Sequence, residues 1–90
     1  MSITFDHITK KSCVFRLRVH TPIQVLYRMM QVFTERGILL ENLHVQSDPS
    51  NPQSSLILVC CQMEKDRIYR TLLVLRRIHG VVDAEKMEGK

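Results

Sequence analysis

The chain contains no tryptophan, and aromatic residues make up only 6% of its 90 positions. Nucleic-acid recognition on an open sheet face needs aromatics to stack bases. Phe15, the one aromatic within a strand, belongs to the more apolar face of that strand, so no nucleic-acid partner is expected. The three cysteines, two of them adjacent, make no disulfide framework and suit a reduced cytoplasmic protein. No apolar run nears the length of a membrane span, and the opening MSITFDHITKK lacks a signal-peptide core. There is no Gly-rich phosphate loop and no Ser/His/Asp or Cys/His motif. His7, His20, His44 and His79 have no ligand spacing. Cys60 and Cys61, neighbours on a strand, point to opposite faces and cannot chelate as a pair. These absences argue against an enzyme, a metal centre and a resident cofactor. They leave the cysteines as small core residues and the histidines at element ends.

What is present is one domain's worth of alternating and helical patterns. Ninety residues support a single core with little to spare. The net charge of +4, without a Lys/Arg run, attracts anions only mildly. Residues 1–11 are polar with scattered Ile3, Phe5 and Ile8, and read either as a flexible arm or as a short extra strand. The domain is taken as 12–87, with a tail at 88–90. Cys13, Phe15, Leu17 and Val19 alternate with Ser12, Val14, Arg16 and Arg18, the pattern of a half-buried strand. Thr21 then suits an N-cap and Pro22 the first helical position. Ile23, Leu26, Met30 and Phe33 recur at helical spacing, widened by Val25, Met29 and Val32, so a helix over Pro22–Arg36 is predicted to bury that stripe.

Gly37 stops this helix, and a strand follows at once. Its apolar residues Ile38, Leu40, Leu43 and Val45 slip out of period two between Leu40 and Leu43. Either both faces are partly covered or a bulge resets the phase. Ser47–Ser54, with two prolines, is a loop. Ser55–Met63 is apolar on both faces, as a central strand would be. A second helix is predicted over Lys65–His79, burying Ile68, Leu72, Leu75 and Ile78 with Tyr69, Leu73 and Val74 alongside. Its Lys65, Arg67, Arg70, Arg76 and Arg77 read as a solvated basic face. Gly80 ends it, and Val81–Met87 is the last strand.

The order β-α-β-β-α-β implies a ferredoxin-like α+β sandwich, a four-stranded antiparallel sheet with both helices on one face. Right-handed crossovers give strand order 4-1-3-2, with the second and fourth strands at the edges. Because the third strand is apolar on both faces, a partner surface is expected to cover the open one, which makes a dimer the first functional inference.

The central stretch carries a family resemblance. A helix ending in F-x-x-R-G, followed by φ-x-φ-E-x-L-x-V, resembles the signature region of an ACT domain. Here it runs Phe33-Thr34-Glu35-Arg36-Gly37-Ile38-Leu39-Leu40-Glu41-Asn42-Leu43-His44-Val45. It is most similar to the small regulatory subunit of acetolactate synthase in its short, single-domain form, where the run is typically R-G-Y-N-I-E-S-L-x-V. The resemblance extends over about 12–87, through the closing Ile78-His79-Gly80-Val81-Val82.

The resemblance implies a non-catalytic regulatory subunit in branched-chain amino-acid biosynthesis. It would activate a thiamine-diphosphate-dependent catalytic acetolactate synthase subunit, to which the cofactors belong. It implies a homodimer through the second strands, at Leu40, Asn42, Leu43, His44 and Val45, so that two sheets join into one. An amino-acid effector would bind at that seam, between His20, Thr21, Pro22, Ile23 and Gln24 of one chain and Leu39 and Leu40 of the other. The chain departs from the family at two of these positions. Gln24 replaces a Gly that permits close backbone approach, and Leu39 replaces an Asn that hydrogen-bonds the ligand. Weak or absent feedback by valine is therefore expected. The alternatives are a free-standing ACT sensor of an amino acid or other small molecule, and a small enzyme or RNA-binding module on the same fold. Clustered catalytic groups and sheet-face aromatics, which the last would need, are lacking.

Overall fold

A computed structural model describes residues 10–87 of the chain. Most of the expected arm, with Ile3, Phe5, His7 and Ile8, and the tail at 88–90 lie outside the described residues. The elements are β1 (Lys10–Val19), α1 (Pro22–Arg36), β2 (Leu39–Ser47), β3 (Ser55–Glu64), a 3-10 turn (Lys65–Arg67), α2 (Ile68–Arg76) and β4 (Val81–Lys86). β1 therefore takes in Lys10 and Lys11, two residues that the sequence pattern assigns to the arm. The sheet is antiparallel in the order β2-β3-β1-β4, the ferredoxin-like topology that the element order implies.

One side of the sheet builds the core. Cys13, Phe15, Leu17 and Val19 of β1 and Ile57, Val59, Cys61 and Met63 of β3 are buried beneath the helices. Their period of two follows from the pleat, which sends successive side chains to opposite faces. α1 adds Val25, Met29 and Phe33, and α2 adds Thr71, Leu72 and Leu75. The buried stripe of α1 is rotated from the expected one. Ile23 and Met30, predicted to face the core, are exposed, and Ile23 is 81% accessible. Eight apolar residues, Tyr27 included, lie around this helix, more than one face can bury, and packing on the sheet selected the line through Val25, Met29 and Phe33.

Gly37 adopts the left-handed conformation (φ 66°, ψ 31°) that closes α1, and the Ile38 N–H reaches back to the Phe33 carbonyl at 2.9 Å. Thr21 occupies the N-cap position, but its side chain makes no capping hydrogen bond. The second helical segment is shorter than predicted. It opens as a 3-10 turn and closes through i→i−3 bonds from the Arg77 and Ile78 N–H groups, so the α-helical part ends at Arg76. Tyr69 and Leu73 on it are exposed.

The slipped phase of β2 is a bulge. Leu40 stands opposite Cys61 and Asn42 opposite Cys60, leaving Glu41 as the extra residue. The bulge returns Leu43 and Val45 to the core side, opposite Val59 and Ile57. It also turns Glu41 onto the open face, where it accepts hydrogen bonds from Ser12 and Gln62 at 3.2 and 2.6 Å.

Candidate functional site

The open face of the sheet is less apolar than the sequence of β3 implies. Leu56 is buried and Leu58 and Cys60 are half-buried there. Polar side chains flank them. Arg16 pairs with Glu85, and Arg18 donates to Asp48 and Asp83 at 2.7 and 2.9 Å. In the strand register Arg18 stands opposite Leu56 and Arg16 opposite Leu58. Leu58 and Cys60 remain half-buried, so the described residues cover the apolar strip on β3 only in part. Both arginines are matched by carboxylates. Phe15, the aromatic of β1, is fully buried on the other side.

The larger exposed apolar surface lies elsewhere. Arg28, Gln31, Val32 and Glu35 of α1 face α2 across a groove with Val74 and Ile78. At 100° per residue the opposite flank of α1 carries Ile23, Leu26 and Met30, with Tyr27 beside them. That flank overlooks β2, the edge strand on the α1 side of the sheet. Ile23, Tyr27, Met30 and, on β2, Leu39 and Val45 are all exposed. Among the described residues β2 therefore combines a free hydrogen-bonding edge with an apolar overhang.

The predicted effector positions fall into two groups that one chain does not bring together. His20, Thr21 and Gln24 are exposed at the end of β1 and the start of α1, with Pro22 half-buried. Leu39, 55% accessible, and half-buried Leu40 open β2. Val19 and Ser47 both pair with Ser55, whereas Leu39 pairs with Gln62, which pairs with Ser12. The two groups therefore sit at opposite ends of the sheet, separated by the 15 residues of α1, about 22 Å at the helical rise. The predicted edge residues are placed in order along β2. Asn42 and His44 face the open side, and Leu40, Leu43 and Val45 face the helices.

Hydrogen bonds and close packing tie down the end of the sheet near His20. The His20 N–H donates to the Gly80 carbonyl at 3.0 Å. Gly80 has φ 100°, and a Cβ there would come within 2.5 Å of the Thr21 hydroxyl. In the β2–β3 loop, Asp48 is buried, and its carboxylate accepts from the Ser50 N–H and hydroxyl and from Arg18. The Ser50 N–H, the first of these causes, and Arg18 hold the Asp48 carboxyl below its ordinary value.

The basic character of α2 is partly structural. Arg67 donates to the Arg36 carbonyl at the C-terminal end of α1, and Arg76 donates to the Ala84 carbonyl, each at 3.0 Å. Among the described residues no cluster of His, Cys, Asp and Glu could hold a metal ion, and no helix is long and apolar enough to cross a membrane. Sequence reasoning missed two relationships. Cys13 faces Cys61 across β1 and β3, and Arg18 bridges Asp48 and Asp83. Both depend on strand register, which the local pattern does not specify.

No family model matches the chain, and no curated protein matches it by sequence. Solved structures do match. The C-terminal domain of the MgtC protein from Mycobacterium tuberculosis superposes with a TM-score of 0.71 at 13% identity, covering 90% of this chain and 88% of that one. The ACT domain from GTP pyrophosphokinase of Chlorobium tepidum gives 0.70 at 11% identity, covering 88% and 100%. The protein has the ferredoxin-like fold of an ACT domain.

Proposed function

We propose that the protein is a non-catalytic regulatory subunit that pairs through β2 and docks on the catalytic subunit of acetolactate synthase, raising its activity. The observation that carries the reading is the structure of its signature stretch. Phe33–Val45 forms a helix end, a left-handed Gly37 and a bulged edge strand beneath an exposed apolar helix flank. Pairing β2 antiparallel to its copy would give its unpaired backbone groups partners and cover Ile23, Met30 and Val45. It would also bring Leu39 of one copy to the end of the sheet that holds His20–Gln24 of the other. Only a second chain can join the two half-sites. Activation requires that the dimer bind the competent form of the catalytic subunit more tightly than the idle form.

At that seam Gln24 occupies the approach path of a ligand carboxylate, and Leu39 offers no hydrogen bond to a ligand ammonium. Valine feedback is accordingly weak or absent. The free-standing sensor is the second reading. It is favoured by the exposure of His20, Thr21 and Gln24, which form a ligand-accessible rim independent of any catalytic subunit.

The test is a rate. The catalytic synthase from the same genome is assayed for pyruvate condensation with and without this protein, in the presence and absence of valine, leucine and isoleucine. Activation without amino-acid inhibition supports the proposal. Activation with valine inhibition keeps the subunit and overturns the reading of Gln24 and Leu39. Absence of both activation and co-migration overturns the subunit and favours the sensor, for which an amino acid would raise the melting temperature.

A further inference from the structure

Cys13 on β1 and Cys61 on β3 are directly opposite in register, and their sulfurs are 3.8 Å apart. Both side chains belong to the core, but Cys13 retains 6% exposure. The residual opening leads into a cleft of about 820 Å³, located where β4 ends beside β1 and α2 begins. Leu72 and Tyr69 form part of its wall, and the exposed lysines Lys11, Lys65 and Lys86 border it. Buried thiols in apolar surroundings are inert, whereas reactive ones sit in electropositive, partly accessible places. Cys13 is buried, but it lines the lysine-bordered cleft, which gives this core thiol a route to an incoming anion. The hydrogen bond with Cys61, and then Lys86, lower its proton affinity, against burial and Glu41. Cys61, fully buried, stays protonated.

We propose that Cys13 and Cys61 form a redox-modifiable pair, converted to an intramolecular disulfide by a small anionic disulfide that enters the lysine-bordered cleft. The Cys13 thiolate attacks one sulfur of the incoming disulfide. Its S–S bond breaks, and the leaving thiolate takes up a proton. Cys61 then loses its proton and attacks the Cys13 sulfur of the mixed disulfide, expelling the second small thiol. Two protein thiols are oxidised and one small disulfide is reduced to two thiols, with no further oxidant.

The geometry requires the sulfurs to close from 3.8 Å to a bond of about 2 Å, by side-chain rotation between directly opposed strand positions. Cys60 also lines the cleft and is the more exposed thiol, but it points to the other face of the sheet and so cannot close the bond with either partner. The product would tie the two central strands together beneath the helices. The inference needs no catalytic subunit and does not depend on the proposed function.

The test uses the reduced full chain and glutathione disulfide as the probe. Expected is the loss of two of the three free thiols, with peptide mapping that joins the Cys13 and Cys61 peptides and no retained glutathione on either. Cys61→Ser should trap glutathione on Cys13, whereas Cys13→Ser should leave Cys61 unreacted. Lys65→Glu should slow the reaction with glutathione disulfide several-fold, but not that with neutral hydroxyethyl disulfide. Modification of Cys60 alone, or three thiols that stay reduced in the folded wild-type chain, would overturn the pair. Equal slowing with both disulfides would overturn the cleft as an anion site. Counting thiols in the wild type keeps the test valid even if a serine variant folds poorly.

Discussion

Arg18, near the end of the central strand β1, holds Asp48 of the β2–β3 loop through a 2.7 Å bond from Nε to Oδ2, while its Nη1 reaches Asp83 on β4. One guanidinium thus links the loop after β2 to the opposite edge strand. The link also fixes the end of the sheet where His20–Gln24 emerge.

The Asp48 carboxyl is held below its ordinary value of 3.8, first by the Ser50 N–H and then by Arg18. A depressed folded-state value means that its contribution is fully present above the ordinary value and is lost as pH falls through the folded one. Asp48→Asn should therefore lower the melting temperature by a constant amount from neutral pH down to about 3.8. Below that the gap to the wild type should close. Thermal melts across this range check it, and a gap that widens in acid would contradict it.

Gly80 and Gly37 both have positive φ, but only Gly80 is crowded. An added Cβ at Gly80 meets the Thr21 hydroxyl at 2.5 Å and Val25 at 3.0 Å, whereas Gly37 has open space. Gly37→Ala should cost about 1 kcal/mol, from the left-handed conformation alone. Gly80→Ala should cost about 3 kcal/mol or more, because overpacking adds to the same strain. Adding Thr21→Ala should recover part of the Gly80→Ala loss. Denaturant unfolding of the four proteins measures this, and equal costs at the two glycines would refute the crowding.

Thr71 is buried on α2, and its hydroxyl has no hydrogen-bond partner among the described residues. Valine has the same shape without the polar atom. Thr71→Val should stabilise the fold by about 1 kcal/mol, since a buried unpaired hydroxyl carries a desolvation cost. An unchanged or lower denaturation midpoint would show that the hydroxyl is satisfied in solution.

The proposed dimer places Tyr27 and Val45 in or beside the seam, although both are exposed in the single chain. Val45→Lys and Tyr27→Glu should each shift the chain toward monomer, with little effect on monomer stability, because surface substitutions rarely exceed about 0.5 kcal/mol. Sedimentation at several concentrations reads the shift. A dimer that survives both substitutions would place the interface elsewhere.

Much of this protein is written locally. Pro22 and Gly37 bound α1 because one suits a helix start and the other takes the left-handed stop, and the helix observed is the one expected, Pro22–Arg36. The alternation in β1 and the apolar β3 marked the two central strands, and the handedness of crossovers then set the strand order. The Leu40–Leu43 slip announced a bulge as one of two alternatives, since period two admits no other repair within a strand.

Tertiary structure decided what local periods leave open. α1 carries apolar residues over more than half its circumference, so only docking on the sheet could choose Val25, Met29 and Phe33 over Ile23 and Met30. Cross-strand register, set by pairing between segments far apart in sequence, opposed Cys13 to Cys61 and brought Arg18 to Asp48 and Asp83. Sequence determined the elements and their order because those follow from short-range sterics and hydrophobic spacing. The buried faces, the ion pairs and the thiol pair came from the packing of distant elements, whose energies no single segment contains.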